Sequence, residues 1–599
     1  MDKSISKDKL NQYKVKNIFK AMMKHDSYIV NIIAIIGVIL ATWGFVVSHK
    51  ITGIDYNLYN SIYSTIRLFA FDLDAPDLKA DLIWQLEVSR WMIAFFMFYY
   101  IAKGIILIAK TKYELFKLSI FGGGHVIICG CGEKGRTLGE DWLKKYPNTK
   151  LFYIESDLLN SNIETLQELG AIVIHGKAQE ELILKKLKVN KASHFIATTN
   201  DTTNMEIIST LTKVLKNKEY KRFTHLKCFV HLQHSEFYDF FMATRFNADD
   251  NMLDIKVFNI YSNSARMLFN DKINNRILGD NVFKDKTSIV DKKSQVKVAI
   301  FGFGKLGENI LLQALHLGHF YNETPIKVTV VYDQDRDINK NIEDEFNKQY
   351  DVLKEQHNGK YWDVEIIDDG DFLKDENGKE KKMDYTQLIV AYEDEFDALS
   401  NLMKLLKRYN DEILTNNIDV SIYSNSFENT AQIIHEDKNN KKDTVFKKVR
   451  TFGMLKETCS YDMVIDQTLD KKAVLNNNHY NELHGYNKEN KTAQEQWKEL
   501  DILTKDSNRY LMDHNEIKKS LIEKFIKEST MTYDYKSTRD NIEHKYFYDH
   551  QNINWDDMGL ENHSYSTKLS VDEIVTLAKA EHNRWNAFHI LNGWKKMSV

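Results

Sequence analysis

Six glycines in two matched sets carry the clearest chemical signal in this chain. Gly130, Gly132 and Gly135 lie in HVIICGCGEKG, and Gly302, Gly304 and Gly307 lie in VAIFGFGKLG. In both sets an apolar run leads in and a helix-forming stretch leads out. Glycines with this spacing at a strand-to-helix turn let the backbone approach a pyrophosphate, whose charge the helix N-terminus favours. Further on, each set has an acid closing a second apolar run, Glu155 after LFYI about twenty residues on and Asp333 after VTVVY somewhat later. An acid in that place accepts hydrogen bonds from ribose hydroxyls. The predicted chemistry is therefore nucleotide binding.

A nicotinamide enzyme would need more than this, namely a substrate domain with a general acid or base facing the cofactor. No Ser-x-x-x-Lys, Tyr-x-x-x-Lys or catalytic histidine segment follows either fingerprint. His231 and His234 (HLQH) are the nearest metal-like pair, but no third ligand is in view. We therefore expect no catalytic residues and no metal, and keep a membrane-tethered NAD-dependent oxidoreductase only as a remote alternative. A net charge of -4 over 599 residues gives no reason for a nucleic-acid partner. The four cysteines, Cys129, Cys131, Cys228 and Cys459, lack metal-type pairing and read as free thiols of a reducing compartment.

The elements that must position the glycines read as alternating strands and helices. Val126 to Cys129 is a buried strand, Arg136 to Lys145 a helix, and Leu151 to Ile154 the next strand. Two such α/β units in tandem are predicted, at 123–285 and 295–475. The first continues GAIVIHGKAQEELILKKLKVNKASHFIATTNDTTN. A strand ending in His175-Gly176, a helix, then a strand ending in T-x-D-x-x-N over Thr199 to Asn204 resembles the RCK, or Trk-type nucleotide-binding, family. That resemblance implies a Rossmann-like fold, a nucleotide (NAD(H) or ADP/ATP) at the first unit, and Asp201 among the residues that bind it. It also implies paired lobes, with four chains making a homotetrameric ring of eight lobes that pulls on a pore helix. The second unit follows the family pattern less closely. Asp368 and Asp369 follow VEII, Tyr392-Glu393-Asp394 follows LIVA, and a polar insertion spans Asn339 to Lys360. Whether its pocket binds a ligand or the lobe serves dimerisation is left open by its residues.

Upstream, Tyr28 to Val47 and Trp84 to Ala109 are apolar and long enough to cross about 30 Å of hydrocarbon at about 1.5 Å per residue. Seven lysines from Lys3 to Lys24 precede the first, and Lys110, Lys112 and Lys117 follow the second. The loop between is acidic, with Asp55, Asp72, Asp74, Asp77 and Asp81. The positive-inside rule then puts both termini in the cytoplasm of a two-span inner-membrane protein, with residues 1–26 as a basic cytosolic segment and 27–112 as the membrane domain. Within the loop, Leu58, Ile62, Thr65, Ile66 and Phe69 recur at helical spacing, as in a re-entrant helix. The plan resembles that of two-span potassium channels. Their filter, however, needs a T-x-G-Y/F-G run, and here no glycine lies between Gly53 and Gly104. Arg67 could favour anions, and Asp72 and Asp74 cations, or these charges simply sit in water. Lys103 lies at a depth where a charge usually faces a cavity or snorkels.

Beyond an asparagine-rich stretch, Asn476 to Asn490, the segment 491–599 carries S-N-R-x-x-x-D-H (Ser507 to His514) and E-H-x-R-W followed by G-W (Glu581 to Trp594). Ser570 with Glu573 reads as a capping box ahead of the second motif. The two motifs resemble the RyR domain, a small, mainly helical module. The resemblance implies a nucleotide-like ligand for Arg509, His514, His582, Arg584 and Trp585, although Trp585 and Trp594 read more readily as core. The functional expectation is a nucleotide-gated ion channel, or else a nucleotide-triggered membrane-permeabilising effector such as serves in antiphage defence.

Overall fold

Apolar runs such as VIIC have no polar face to give to water, so they form strands covered on both sides. In the computed structural model Val126–Cys129 is such a strand, buried at all four residues. The structure describes residues 30–48, 50–51, 58–70, 83–217, 224–234, 253–271, 276–278, 295–320, 324–333, 359–372, 374, 378–379, 382–416, 418–425, 448–487, 489–528 and 571–593. The chain divides into two units, Met1–Phe121 and Gly122–Val599.

In the first unit, helix α1 (Val30–Ser48) is the one described helix that meets the length and apolarity a membrane crossing requires. Helix α2 (Leu58–Arg67) and a following 3-10 turn occupy the predicted re-entrant segment. Helix α3 (Trp84–Phe121) runs unbroken for 38 residues, so it continues past the second apolar stretch through Lys110, Lys112 and Lys117. Ala41, Phe45, Leu68, Leu86 and Ile93 form its small core. The Thr42 and Thr65 hydroxyls meet at 3.1 Å, and Tyr100 Oη donates to Asn31 Oδ1 at 2.8 Å. Glu87 and Arg90 pair with each other at 2.6 Å, as their i, i+3 spacing foretells. Asp72 and Asp74 lie outside the described residues. Lys103 belongs to α3, but its side chain lies outside them too.

The second unit holds two six-stranded parallel sheets of the same topology. The first comprises β1 (Val126–Cys129), β2 (Leu151–Glu155), β3 (Ile172–His175), β4 (His194–Ala197), β5 (Leu226–His231) and β6 (Leu253–Phe258), in the order β3-β2-β1-β4-β5-β6. The second comprises β7 (Lys297–Phe301), β8 (Ile326–Tyr332), β9 (Trp362–Asp368), β10 (Gln387–Val390), β11 (Asp419–Tyr423) and β12 (Val449–Phe452), in the order β9-β8-β7-β10-β11-β12. Both are Rossmann-like. Their reversal points, between β1 and β4 and between β7 and β10, are where open α/β sheets bind ligands.

Crossover helices are α4 (Glu133–Lys145), α5 (Asn162–Glu168), α6 (Glu181–Lys186) and α7 (Asp201–Lys216) in the first lobe. After β6, helix α8 (Ile260–Phe269) leaves the first lobe and packs on α9 (Lys305–Leu317), the fingerprint helix of the second. Helix α10 (Glu395–Thr415) follows β10. After β12 the chain returns the exchange, as the short helices α11 (Leu455–Thr458) and α12 (Tyr461–Val464) pack on α4 of the first lobe. Trp142 meets Tyr461 edge-on at 4.8 Å, and Tyr461 N–H donates to Asp141 Oδ2 at 2.8 Å. One apolar core runs through both lobes as a result.

The asparagine-rich stretch is no loose connector in its first half. Helix α13 (Lys471–Leu483) includes Asn476 to Asn478, because Ala473 and Val474 bury against Trp497 of α14 (Ala493–Glu499). Helices α15 (Ile502–Glu528) and α16 (Val571–Leu591) complete the C-terminal module. Ser570, Trp594 and most of the insertion at 339–360 lie outside the described residues.

Candidate functional site

At the first fingerprint the chain turns from β1 into α4 through Gly130, whose φ of +98° favours glycine. Gly135 brings the helix against that turn so closely that an added Cβ would stand 2.1 Å from Gly130 O. Gly132 caps the helix, and a Cβ added there would meet nothing within 4 Å. The space beside Gly132 at the helix N-terminus is open, and Gly132 supplies no side-chain cap for the first-turn N–H groups, which a helix cannot pair internally.

Glu155 braces the loop from the end of β2. Its Oε2 accepts from Cys131 N at 2.7 Å and from Asn160 Nδ2 at 3.2 Å, and its Oε1 accepts from Ser156 N and Asp157 N at 2.8 and 2.9 Å. On the opposite side of the loop Asn162 Nδ2 donates to Cys131 O at 3.0 Å, and Tyr153 Oη donates to Gly135 O at 2.9 Å. These groups hold the fingerprint in shape before any ligand arrives. The acid fixed by spacing is in place, while Asn160, Asn162 and Tyr153 carry no signal in their spacing.

The T-x-D-x-x-N run is a splice between two strand ends. Asn204 Oδ1 accepts from Thr199 N at 3.1 Å, and Asn204 Nδ2 donates to His231 O at 2.8 Å. Asn200 caps α7 by accepting from Thr203 N. Asp201 is buried and accepts from Gln233 N and His234 N at 3.0 Å, and its Oδ2 lies 2.7 Å from His234 Nδ1. Asp201 thus ties β4 to β5. Next to it Lys134 Nζ donates to His231 Nδ1 at 3.2 Å. Burial lowers the Lys134 ammonium from its ordinary value, and burial with Lys134 alongside holds His231 well below its own. The two histidines of HLQH have different partners.

The second fingerprint repeats the turn, with Gly302 at φ +95° and an added Cβ on Gly307 only 2.2 Å from Gly302 O. The difference lies at Gly304. A Cβ added there would stand 2.8 Å from Glu393 Oε1, and the same oxygen accepts from Leu306 N at 3.3 Å. Asp333 follows β8 as expected, and Asp368 and Asp369 close β9 beside it. Burial, then the nearby Asp333, raises the Asp369 carboxyl.

In the C-terminal module most candidate ligand groups are already engaged. Arg509 binds Asp470 Oδ2 through Nε at 2.9 Å and Asp506 Oδ1 through Nη1 at 2.7 Å. His514 is buried, with Nε2 2.9 Å from His319 O and Nδ1 3.2 Å from Glu581 Oε2. Arg584, also buried, donates twice to Glu581 Oε1. Only His582 and Trp585 are exposed, stacked on each other at 6.4 Å. Besides His514, a group that joins this module to the lobes is Arg266 of α8, which sequence spacing does not single out. It binds Asp513 Oδ2 and Asp470 Oδ1 at 2.8 Å each, and Leu469 O at 3.0 Å.

Residues 126–235 match the TrkA-N domain. No curated protein matches the chain. Among solved structures, the chain is similar to GsuK bound to ADP, at 13% identity over 75% of this chain and 99% of that one, with a TM-score of 0.36. It is also similar to the GsuK channel bound to NAD, at 12% identity over 75% of this chain and 84% of that one (TM-score 0.34), and to the GsuK RCK domain, at 12% identity over 58% and 78% (TM-score 0.35).

Proposed function

We propose that the chain, with a TrkA-N domain at residues 126–235, is a subunit of a homotetrameric inner-membrane channel gated by a nucleotide at that domain. One observation carries this reading: the domain's fingerprint helix is open at Gly132, with Glu155 bracing the loop, in a chain whose upstream helix α1 is apolar enough to span a bilayer. NAD(H), ADP or ATP would lay its phosphates over Gly130, Gly132 and Gly135 and its ribose towards Glu155. The exposed face of α1, with Ile32, Ile35, Ile36 and Ile39, suits lipid. Helix α3 would be the second span, Arg67 and Lys103 would belong to the pore segment, and both termini would be cytoplasmic. The protein acts by binding and has no catalytic role in this reading. The C-terminal module, with its RyR-like motifs, is a further ligand input through the exposed His582 and Trp585.

Ligand and channel are tied by differential affinity: the nucleotide opens or closes the pore only as far as it binds the two states unequally. The direct test is binding by purified full-length protein. Saturating nucleotide at about 100 times Kd stabilises the folded protein by about 2.7 kcal/mol, a shift a melting experiment resolves. No shift with any of the three nucleotides would remove the basis of the proposal.

A second reading is favoured by Thr65-Ile66-Arg67-Leu68-Phe69-Ala70, which stands where a glycine-bearing filter would. A pore without such a filter discriminates poorly among ions, as a signal-triggered effector that depolarises its own cell requires. Expression with and without the candidate nucleotide, followed with a membrane-potential dye, separates the two readings. Collapse of the potential marks the effector, and a selective shift marks the channel.

A further inference from the structure

The two lobes repeat each other at their glycines and differ in what lies above the middle one. In the first, nothing stands within 4 Å of a Cβ placed on Gly132. In the second, Glu393 Oε1 lies 2.8 Å from the equivalent point on Gly304 and accepts from the helix amide Leu306 N at 3.3 Å. That is the place where a dinucleotide fingerprint sets its pyrophosphate, over the middle glycine and against the first-turn N–H groups. Glu393 owes its position to the chain after β10. Asp394 caps α10 by accepting from Asp397 N, so the residue before it projects across the sheet's reversal point towards α9. Its other oxygen, Oε2, accepts from Tyr261 Oη at 3.0 Å, a donor on α8 that arrives from the first lobe. Tyr261 is buried among apolar side chains of the shared core, so this donor cannot swing away without unpacking α8. In the first lobe the cap, Asn200, comes one residue sooner after the strand: Thr199 lies against Gly130 as Tyr392 lies against Gly302, so Glu393 is the extra residue of the second loop.

We propose that Glu393 is a built-in anion that fills the phosphate position of the second fingerprint, so that the second lobe excludes nucleotides and keeps its Rossmann turn for holding α8. The carboxylate supplies the negative charge that the helix N-terminus favours and takes up one of its orphan N–H groups. A nucleotide phosphate arriving there meets a like charge in contact, with Asp333, Asp368 and Asp369 on the neighbouring strand ends adding to the repulsion. The exclusion thus distinguishes two fingerprints that are identical in glycine spacing. It also makes the Glu393–Tyr261 bond a tie between the lobes in which an unliganded turn still does structural work.

The test is hydrogen exchange, read peptide by peptide, on the full-length protein with and without ADP or NAD at about ten times the Kd found for the chain. In the wild type, exchange over 302–311 stays the same with either nucleotide. In Glu393→Ala the helix N-terminus is cleared, and exchange over 302–311 slows about tenfold with ligand. Glu393→Thr, which shortens the side chain and removes its charge, is read in the same way and serves should the alanine variant not fold. Nucleotide-dependent protection of 302–311 in the wild type overturns the proposal, whatever the variants do. So does the absence of protection there in a folded variant. Peptides over 130–140 report on the first lobe separately, so failure of the nucleotide reading at Gly132 shows in those peptides and is not confused with failure at Gly304.

Discussion

A methyl group at Gly132 separates ligand binding from folding. Gly132 has φ -63° and ψ 177°, a backbone that any residue adopts, and an added Cβ meets nothing within 4 Å. Gly132→Ala therefore adds no clash. The loss of glycine's cap preference costs about 1 kcal/mol. The methyl does project into the space that a pyrophosphate needs, and losing close phosphate approach should weaken binding about 100-fold, or about 2.7 kcal/mol. Gly135→Ala is the opposite case, with its Cβ 2.1 Å from Gly130 O and 2.9 Å from Thr198 Oγ1. The backbone must move, at a cost of about 1–3 kcal/mol or more. Thermal melts of the full-length proteins with and without ADP or NAD read both effects. Wild type and Gly132→Ala should melt within a few degrees of each other without ligand, and only the wild type should gain stability with it. Gly135→Ala should melt lower from the start. If Gly132→Ala keeps the ligand gain, or loses as much unliganded stability as Gly135→Ala, the geometry assigned to this turn is wrong.

Three further outcomes follow from named contacts. Arg266→Met leaves buried Asp513 without its guanidinium partner, with Gln313 Nε2 still donating to it, and should cost about 3–5 kcal/mol in chemical denaturation, whereas Lys145→Met, at an exposed pair with Asp462 and Asp466, should leave the denaturation midpoint nearly unchanged. Burial pushes His194 down to about 4 and His319 to about 3, so the unfolded chain takes up protons first as pH falls. The unfolding free energy should hold above about pH 6.5 and drop below it by up to about 1.4 kcal/mol per histidine per pH unit, and a stability flat down to about pH 4.5 would count against neutral, buried rings. Burial also pushes the Cys131 and Cys459 thiols up to about 12, so a thiol reagent at pH 8 should label neither in the native protein and both once it is unfolded.

The sequence makes some of this legible because local patterns carry it. A strand, three glycines at fixed spacing, a helix and an acid after the next strand place Gly130, Gly132, Gly135 and Glu155 without any tertiary information, and the same holds for Gly302, Gly304, Gly307 and Asp333. Exchange of α8 for α11 and α12 is not legible, since it depends on which lobe each segment packs against. Nor is the fate of Arg509 and Arg584. Both look like free anion binders along the sequence, yet Asp470 lies 39 residues from Arg509 and closes on it, while Glu581, one helical turn before Arg584, accepts from its Nε and Nη2. Asn476 to Asn478 read as a connector by composition, but buried Ala473 and Val474 draw them into a helix. Glu393 appears in the sequence only as an acid after an apolar run. Its reach to Gly304 is a matter of sheet topology.

Ion flux through liposomes containing the purified full-length chain tests the central claim most directly, measured with NAD(H), ADP or ATP added on the side bearing the TrkA-N domain. The account predicts that flux changes with at least one of these nucleotides in the wild type and does not respond in Gly132→Ala. Vesicles that stay tight whatever is added, or that leak equally with and without nucleotide, would contradict it.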